Sequence, residues 1–61
     1  MNSFFEMGNL SQADLYKMMY DSDPDIRWRV AKRIDQKGLR KMVNDPNRSV
    51  RLVVKRRLNI Y

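Results

Sequence analysis

The stretch LYKMMYDSDPDIRWRVAKRI at residues 15–34 matches LRKMVNDPNRSVRLVVKRRL at residues 39–58, at an offset of 24 positions. Seven of the twenty aligned pairs are identical, and four more keep their chemical type. A match at a fixed period of this size is typical of proteins built from stacked repeats. We therefore predict two copies of one structural unit, at residues 11–34 and 35–58.

Helix-start signals recur at the same offset and indicate that each unit is helix, short turn, helix. Ser11 and Asp35 are N-cap residue types, and Ser11 with Asp14 has the form of a capping box. Asp23, followed by a proline, and Asn47 are a second pair of N-cap types. Apolar residues between these caps follow the spacing of helices that pack on one side. We expect four helices, near residues 12–20, 24–37, 36–44 and 48–59.

The same spacing gives a candidate core and the order of elements along the chain. Gly38 either ends one helix or lies in the first turn of the next, and its alignment with Asp14 favours the second position. The segment SFFE at residues 3–6 is another possible capping box, so residues 1–10 are expected to form a helical cap, with residues 59–61 as the C-terminal end. The predicted core residues are Leu15, Met18, Met19, Ile26, Val30, Ile34, Leu39, Met42, Val43, Val50, Val54 and Leu58.

Composition narrows the classes of function. The chain has 61 residues and 43% hydrophobic content, which fits one small folded domain. It has no cysteine and no histidine, so it lacks thiolate nucleophiles, thiolate metal ligands and the commonest general base. We expect neither catalysis nor a cofactor nor a metal site. No apolar run suits a membrane span or a signal peptide, so a soluble, cytoplasmic protein is expected.

Charge is divided sharply along the chain. Residues 1–25 hold five acidic residues and one basic residue, whereas residues 26–61 hold twelve basic residues and two acidic ones. A basic region of this kind attracts polyanions or acidic protein surfaces. The net charge of +6 therefore understates how basic the second part is.

The repeated unit, seen at Asp21–Val30 and Asp45–Val54 after a leucine-led helix, resembles HEAT-type helical repeats. Its 24-residue period is closest to the leucine-rich repeat variant type. The resemblance covers about residues 11–59 and implies a short α-solenoid, a right-handed superhelix of alternating short and longer helices that serves as a binding scaffold. Such stacks normally need about three repeats, so two repeats imply a sufficient cap, self-association or completion by a partner.

The resemblance also implies roles for particular residues. In this family the repeated arginine ties down the preceding turn, which would pair Arg27 with Asp21 and Arg51 with Asp45. Some leucine-rich-variant proteins carry a cysteine-ligated iron–sulfur cluster, which a chain without cysteine cannot hold. No cofactor is therefore expected.

The remaining basic residues of the helices are candidates for a binding surface. On a helical wheel Arg29, Lys32 and Arg33 occupy an arc on the far side of their helix from the core, and Arg56 and Arg57 occupy the matching arc one repeat later. Stacking of the repeats would align these residues into a ridge that Arg48 and Lys55 extend. The alternative is a solvated face that only keeps a small protein soluble. The candidate binding residues are Arg29, Lys32, Arg33, Arg48, Lys55, Arg56 and Arg57.

Two kinds of partner remain open for this surface. Basic side chains on successive helices suit nucleic-acid phosphates without base reading, which is the slightly favoured partner, and the alternative is an acidic protein surface, which requires the same charges. Tyr20 is expected to be exposed as a possible aromatic contact, and Trp28 to pack between helices. Val53 falls on the charged arc, and with the C-terminal Ile60 and Tyr61 it indicates a possible homo-oligomer contact.

Overall fold

The structure, a computed structural model, describes residues 10–60. These residues form four α-helices and no β-strand, which confirms an all-α fold for this range. Residues 1–9 of the predicted cap 1–10, and the predicted contact at Tyr61, lie outside the described residues. The helices are α1 (Gln12–Met18), α2 (Pro24–Ala31), α3 (Gln36–Lys41) and α4 (Arg48–Leu58).

Each helix begins at the cap that the sequence predicts. The Ser11 hydroxyl accepts from the Asp14 amide at 3.2 Å, and the Asp14 carboxylate accepts from the Ser11 amide, which completes the capping box of α1. Asp23, Asp35 and Asn47 accept backbone amides in the first turns of α2, α3 and α4. Each of these bonds satisfies an amide that has no partner within its helix.

The prediction of a helix over residues 24–37 is wrong. Helix α2 ends at Ala31, and a turn leads to Asp35, which is the N-cap of α3. The side chain of Asp35 accepts from the Gly38 amide at 2.9 Å, and this bond starts a new helix instead of extending the old one. Gly38 therefore lies in the first turn of α3, as its alignment with Asp14 predicts.

The other helices end close to, but before, their predicted limits. Helix α1 stops at Met18 and α3 at Lys41, and each is followed by a short turn. Helix α4 ends at Leu58 because Asn59 takes the left-handed conformation, with φ of 60°. Asparagine tolerates this conformation better than most residues, and the turn lets the Ile60 amide donate to the Lys55 carbonyl at 2.9 Å.

The core lies where the helices meet. Helix α2 packs against α1 and α4, and α4 also packs against α3. Nine of the predicted core residues are buried, joined by Ala31, whereas Met18, Val43 and Leu58 are only partly buried. The buried core residues are Leu15, Met19, Ile26, Val30, Ala31, Ile34, Leu39, Met42, Val50 and Val54.

Gly38 marks the tightest approach in this core. A Cβ atom added to Gly38 would lie 2.5 Å from both Cγ1 and Cδ1 of Ile34. The absence of a side chain at Gly38 lets the fully buried Ile34 pack directly on the first turn of α3. This contact packs the turn after α2 against the first turn of α3.

Candidate functional site

Arg27 joins the first helical pair, α1 with α2, to the second pair, α3 with α4. Its Nη1 donates to the main-chain carbonyl of Asp21 at 2.6 Å, so it ties down the preceding turn as the family resemblance implies. Its Nε and Nη2 donate to the carboxylate of Asp45, at 2.9 and 3.3 Å. The expected ion pair with the Asp21 carboxylate is therefore replaced by one with Asp45, in the turn between α3 and α4. The Arg27 and Asp45 side chains are only 13% and 6% exposed.

Arg51 repeats half of this arrangement. Its Nη1 donates to the main-chain carbonyl of Asp45 at 2.6 Å, which matches the bond from Arg27 to Asp21 in donor atom and length. The expected ion pair between Arg51 and the Asp45 carboxylate is not formed, because that carboxylate binds Arg27. Both arginines thus hold the turn that precedes them, by a carbonyl and not by a carboxylate.

A second polar junction connects α1 to the turn between α2 and α3. The Tyr16 hydroxyl donates to Asp35 at 2.6 Å, and this bond, with help from the Gly38 amide, holds the pKa of Asp35 below its ordinary value. The same bond, together with burial and the nearby carboxylate charge, raises the pKa of Tyr16. Gln12 adds two bonds, donating to the Arg33 carbonyl and accepting from the Asp35 amide. The sequence pattern gave no indication of this role for Gln12, since side-chain contacts between distant residues leave no periodic signal.

The predicted basic residues that come together do so around an open depression between α2 and α4. We call this feature the basic depression; its volume is about 400 Å³. Three cationic and two apolar residues line it: Lys32, Arg56, Arg57, Trp28 and Val53.

An aromatic ring and an aliphatic side chain form the apolar part of the basic depression. The Lys32 Nζ lies 4.4 Å from the centre of the Trp28 ring, within the range of a cation–π contact. Trp28 is half-buried and packs on the core, as predicted. Val53 is also half-buried and packs on the core, so its predicted exposure is wrong. Among residues 10–60, the large aliphatic side chains that are exposed are Leu52 and Ile60, at 47% and 50%.

Arg57 has a structural contact in addition to its place in the basic depression. Its Nη1 donates to the carbonyls of Ala31, at 3.1 Å, and Ile34. The Ala31 carbonyl belongs to the last residue of α2, where the helix leaves acceptors without partners, and the Ile34 carbonyl lies in the turn that follows. Arg57 therefore holds α4 to the end of α2.

The other predicted binding residues do not line the basic depression. Arg29 pairs with Asp25 at 3.3 Å on the same helix, which offsets its charge. Arg33 is exposed in the turn after α2, and Arg48 is exposed in the first turn of α4. Lys55 is exposed next to Arg56, but a step of one residue rotates it by about 100° around the helix. These four residues are therefore not among the side chains that line the basic depression.

Tyr20 is 75% exposed, as predicted. It lies in the turn between α1 and α2 and lines a separate depression of about 320 Å³, together with Arg27 and residues of the turn after α3. Tyr20 and the basic depression are therefore two distinct features of the surface.

Within residues 10–60, no group of three or more acidic side chains is placed to hold a metal ion. No helix in this range is long and apolar enough to cross a membrane; α4, with 11 residues, is the longest of them. No family model, curated protein or solved structure matches this chain.

Proposed function

We propose that this chain is a non-catalytic binding module that docks its basic depression on the phosphate backbone of a nucleic acid without reading base sequence. The observation that carries this proposal is the meeting of Lys32, Arg56 and Arg57, from the ends of two helices, around one depression. No carboxylate is among the residues that line it. Cations held in this way can contact phosphates spaced along one strand.

The proposal includes the architecture on which the site depends. We interpret α1 with α2 and α3 with α4 as two HEAT-like repeats that stack as a short solenoid. The equal bonds from Arg27 and Arg51 to the turns before them support this interpretation. Stacking sets the two longer helices, α2 and α4, side by side, so their C-terminal cations share one face.

The neighbouring cations extend the contact in this proposal. Arg48 lies eight residues before Arg56 on α4, a rise of about 12 Å along the helix. Lys55 and Arg33 add positive charge to the same surface in this proposal, and Arg29 adds less because Asp25 offsets its charge. The resulting affinity depends on salt, since each phosphate contact releases a bound counterion.

The test is a titration of labelled duplex DNA, single-stranded DNA and structured RNA at two salt concentrations, followed by fluorescence anisotropy. The double variant Lys32→Gln/Arg56→Gln removes two cations that line the basic depression. The matched control, Lys37→Gln/Arg40→Gln, removes two exposed cations of α3 that do not line it. Both variants lose the same net charge.

We expect the first variant to weaken binding by about tenfold or more, and to reduce the slope of log affinity against log salt by about 2. The control should change affinity by less than about threefold, through long-range charge alone. Equal losses for both variants would show that net charge, and not the basic depression, governs binding.

The second candidate partner is an acidic protein segment. The observation that favours it is the apolar side of the basic depression, where Trp28 and Val53 could receive an apolar side chain flanked by acidic residues. Trp28 is the single tryptophan of the sequence, so its fluorescence reports directly on this site. Saturable quenching by an acidic, leucine-containing peptide, with no binding to any of the three nucleic acids at low salt, would favour the protein partner.

A further inference from the structure

Arg27 and Asp45 show how one helical pair locks onto the next. The guanidinium is anchored through Nη1 to the carbonyl of Asp21, and its Nε and Nη2 edge receives the Asp45 carboxylate from the following pair. The Asp45 carboxylate is itself oriented, because its Oδ1 accepts from the Asn47 amide at 2.9 Å. The junction thus has two preorganised halves, an anchored arginine and an oriented aspartate.

In the part of the chain that the structure describes, each half occurs once more, without the other. Arg51 is anchored to the Asp45 carbonyl as Arg27 is to that of Asp21, and within residues 10–60 no carboxylate contacts its Nε and Nη2 edge. The Asp21 carboxylate is oriented by the Asp23 amide at 2.8 Å, as Asp45 is by Asn47. In the same range no cation pairs with the Asp21 carboxylate.

We propose that these two halves join two copies of this chain head to tail, with Arg51 of one copy receiving the Asp21 carboxylate of the next. This proposal does not depend on the nucleic-acid function. The surface around Asp21 is acidic and the surface around Arg51 is basic, so the two surfaces attract each other. Asp21 lies in the acidic segment 21–25, and Arg51 lies on α4, which has five basic residues and no acidic one.

Apolar residues near Arg51 are more exposed than the equivalent residues near Arg27. Trp28 is half-buried, whereas Leu52, its equivalent on α4, is exposed. Ile34 is fully buried, whereas its equivalent Leu58 is only half-buried. A second copy stacked on α4 would cover both leucines, as α4 covers part of α2.

One residue works against close stacking. Lys55 occupies the position equivalent to Ala31, which is fully buried. Its long side chain can carry the amine out to solvent, but doing so costs conformational entropy and packing. We therefore expect weak association that Lys55→Ala strengthens. The contact uses different surfaces on the two copies, so it can continue beyond a dimer.

The experiment is sedimentation equilibrium of the full chain at low salt, from about 10 μM to about 1 mM. We expect the average mass to rise with concentration past twice the monomer mass of 7.4 kDa. Asp21→Asn keeps the acceptor for the Asp23 amide but loses the charge, and it should remain monomeric. Asp23→Asn is the matched control, since it loses the same charge and keeps an N-cap residue, and it should behave like the parent.

Mixing variants tests the direction of the contact. Asp21→Asn keeps a complete Arg51 end, and Arg51→Gln keeps a complete Asp21 end. Each alone should be monomeric, and an equal mixture should form a heterodimer that grows no further. If Arg51→Gln does not fold, adding Asp21→Asn to the parent chain should shorten its assemblies, because it blocks one growing end.

The Lys55→Ala variant should reach the same average mass at a concentration about tenfold lower. A parent chain that stays at 7.4 kDa throughout the concentration range would overturn the proposal. Association of Asp21→Asn equal to that of the parent would overturn it as well. Neither result would bear on nucleic-acid binding, which uses the basic depression.

Discussion

The first helical pair, α1 with α2, and the second, α3 with α4, place an equivalent arginine on an equivalent carbonyl, but only the first arginine is completed by a carboxylate. Arg27 is covered by the following pair and binds Asp45, whereas Arg51 has no following pair within residues 10–60. The same residue type therefore contributes differently to stability at the two positions. The difference teaches that the packing around each arginine, more than its local sequence, sets the role of the residue.

A second contrast concerns the arginines near the helix ends. Arg57 reaches back to the carbonyls of Ala31 and Ile34, at the end of the first pair. Arg33, its equivalent in the first pair, donates no such bond within residues 10–60. The later pair thus supports the earlier one, and the following variants test how far this asymmetry extends.

The largest expected effect is the difference in stability between variants at Arg27 and at Arg51. Arg27→Ala leaves the buried Asp45 carboxylate without its cation and should reduce the free energy of unfolding by about 3–5 kcal/mol. Arg51→Ala loses only the bond to the Asp45 carbonyl and should cost about 1–2 kcal/mol. Urea denaturation followed by circular dichroism measures both. Similar losses would contradict the distinction between a completed and an open junction.

A substitution at Gly38 tests the contact between Ile34, in the turn after α2, and the first turn of α3. Gly38→Ala places a methyl group against Ile34 and should reduce stability by about 1–3 kcal/mol, despite the better helix propensity of alanine. Ile34→Val removes one of the close atoms, so the cost of Gly38→Ala should be smaller in that background. A double-mutant cycle measures this coupling, and additive losses would argue against direct contact.

Arg57 and Arg56 are adjacent and both exposed, but only Arg57 supports the end of α2. Arg57→Ala should cost about 1 kcal/mol through the lost hydrogen bonds. Arg56→Ala should change stability by less than about 0.5 kcal/mol, as expected for a surface substitution. Thermal melting compares the pair, and the opposite ranking would show that Arg57 is not a support.

The smallest effect is the pH dependence of the bond from Tyr16 to Asp35. The depressed pKa of Asp35 stabilises the fold above its ordinary value of 3.8, and this stability is lost as the pH falls through the lower folded-state pKa. The raised pKa of Tyr16 stabilises the fold below 10.0, and this stability is lost as the pH rises through the higher folded-state pKa.

Comparison of the parent with Tyr16→Phe isolates this bond. The difference in melting temperature should be steady at intermediate pH and should shrink as the pH falls below 3.8 or rises above 10.0. Tyr20→Phe is the control, because Tyr20 is exposed and its substitution should leave the profile unchanged. A constant difference over the whole pH range would contradict the assignment.

Patterns along the chain were sufficient to predict the helix starts and most of the core. N-caps such as Ser11 and Asp35 act on amides two or three residues away, so their effect is visible locally. The end of α2 was not predictable in this way, because Ala31 and Lys32 are good helix formers. Its position depends on Asp35, on the packing of Ile34 against Gly38, and on an arginine from a distant helix.

The candidate site was also predictable from the sequence only in part. Its basic character followed from counting charges, but three residues of the seven predicted came together around one depression. The apolar side chains of that depression, from Trp28 and Val53, depend on how α2 packs on α4. Helical-wheel positions give a direction for each side chain, and only the packing of two helices decides which directions converge.

The sequence by itself determined the all-α class, the helix starts and the division of charge, because each depends on neighbours within a few residues. The tertiary structure alone decided that Arg27 pairs with Asp45, that Arg57 supports α2 and that Val53 packs on the core. These contacts join residues far apart in the chain, and the free energy of each depends on the distance and burial that packing sets. Two arginines at equivalent positions of the sequence can therefore have different side-chain partners.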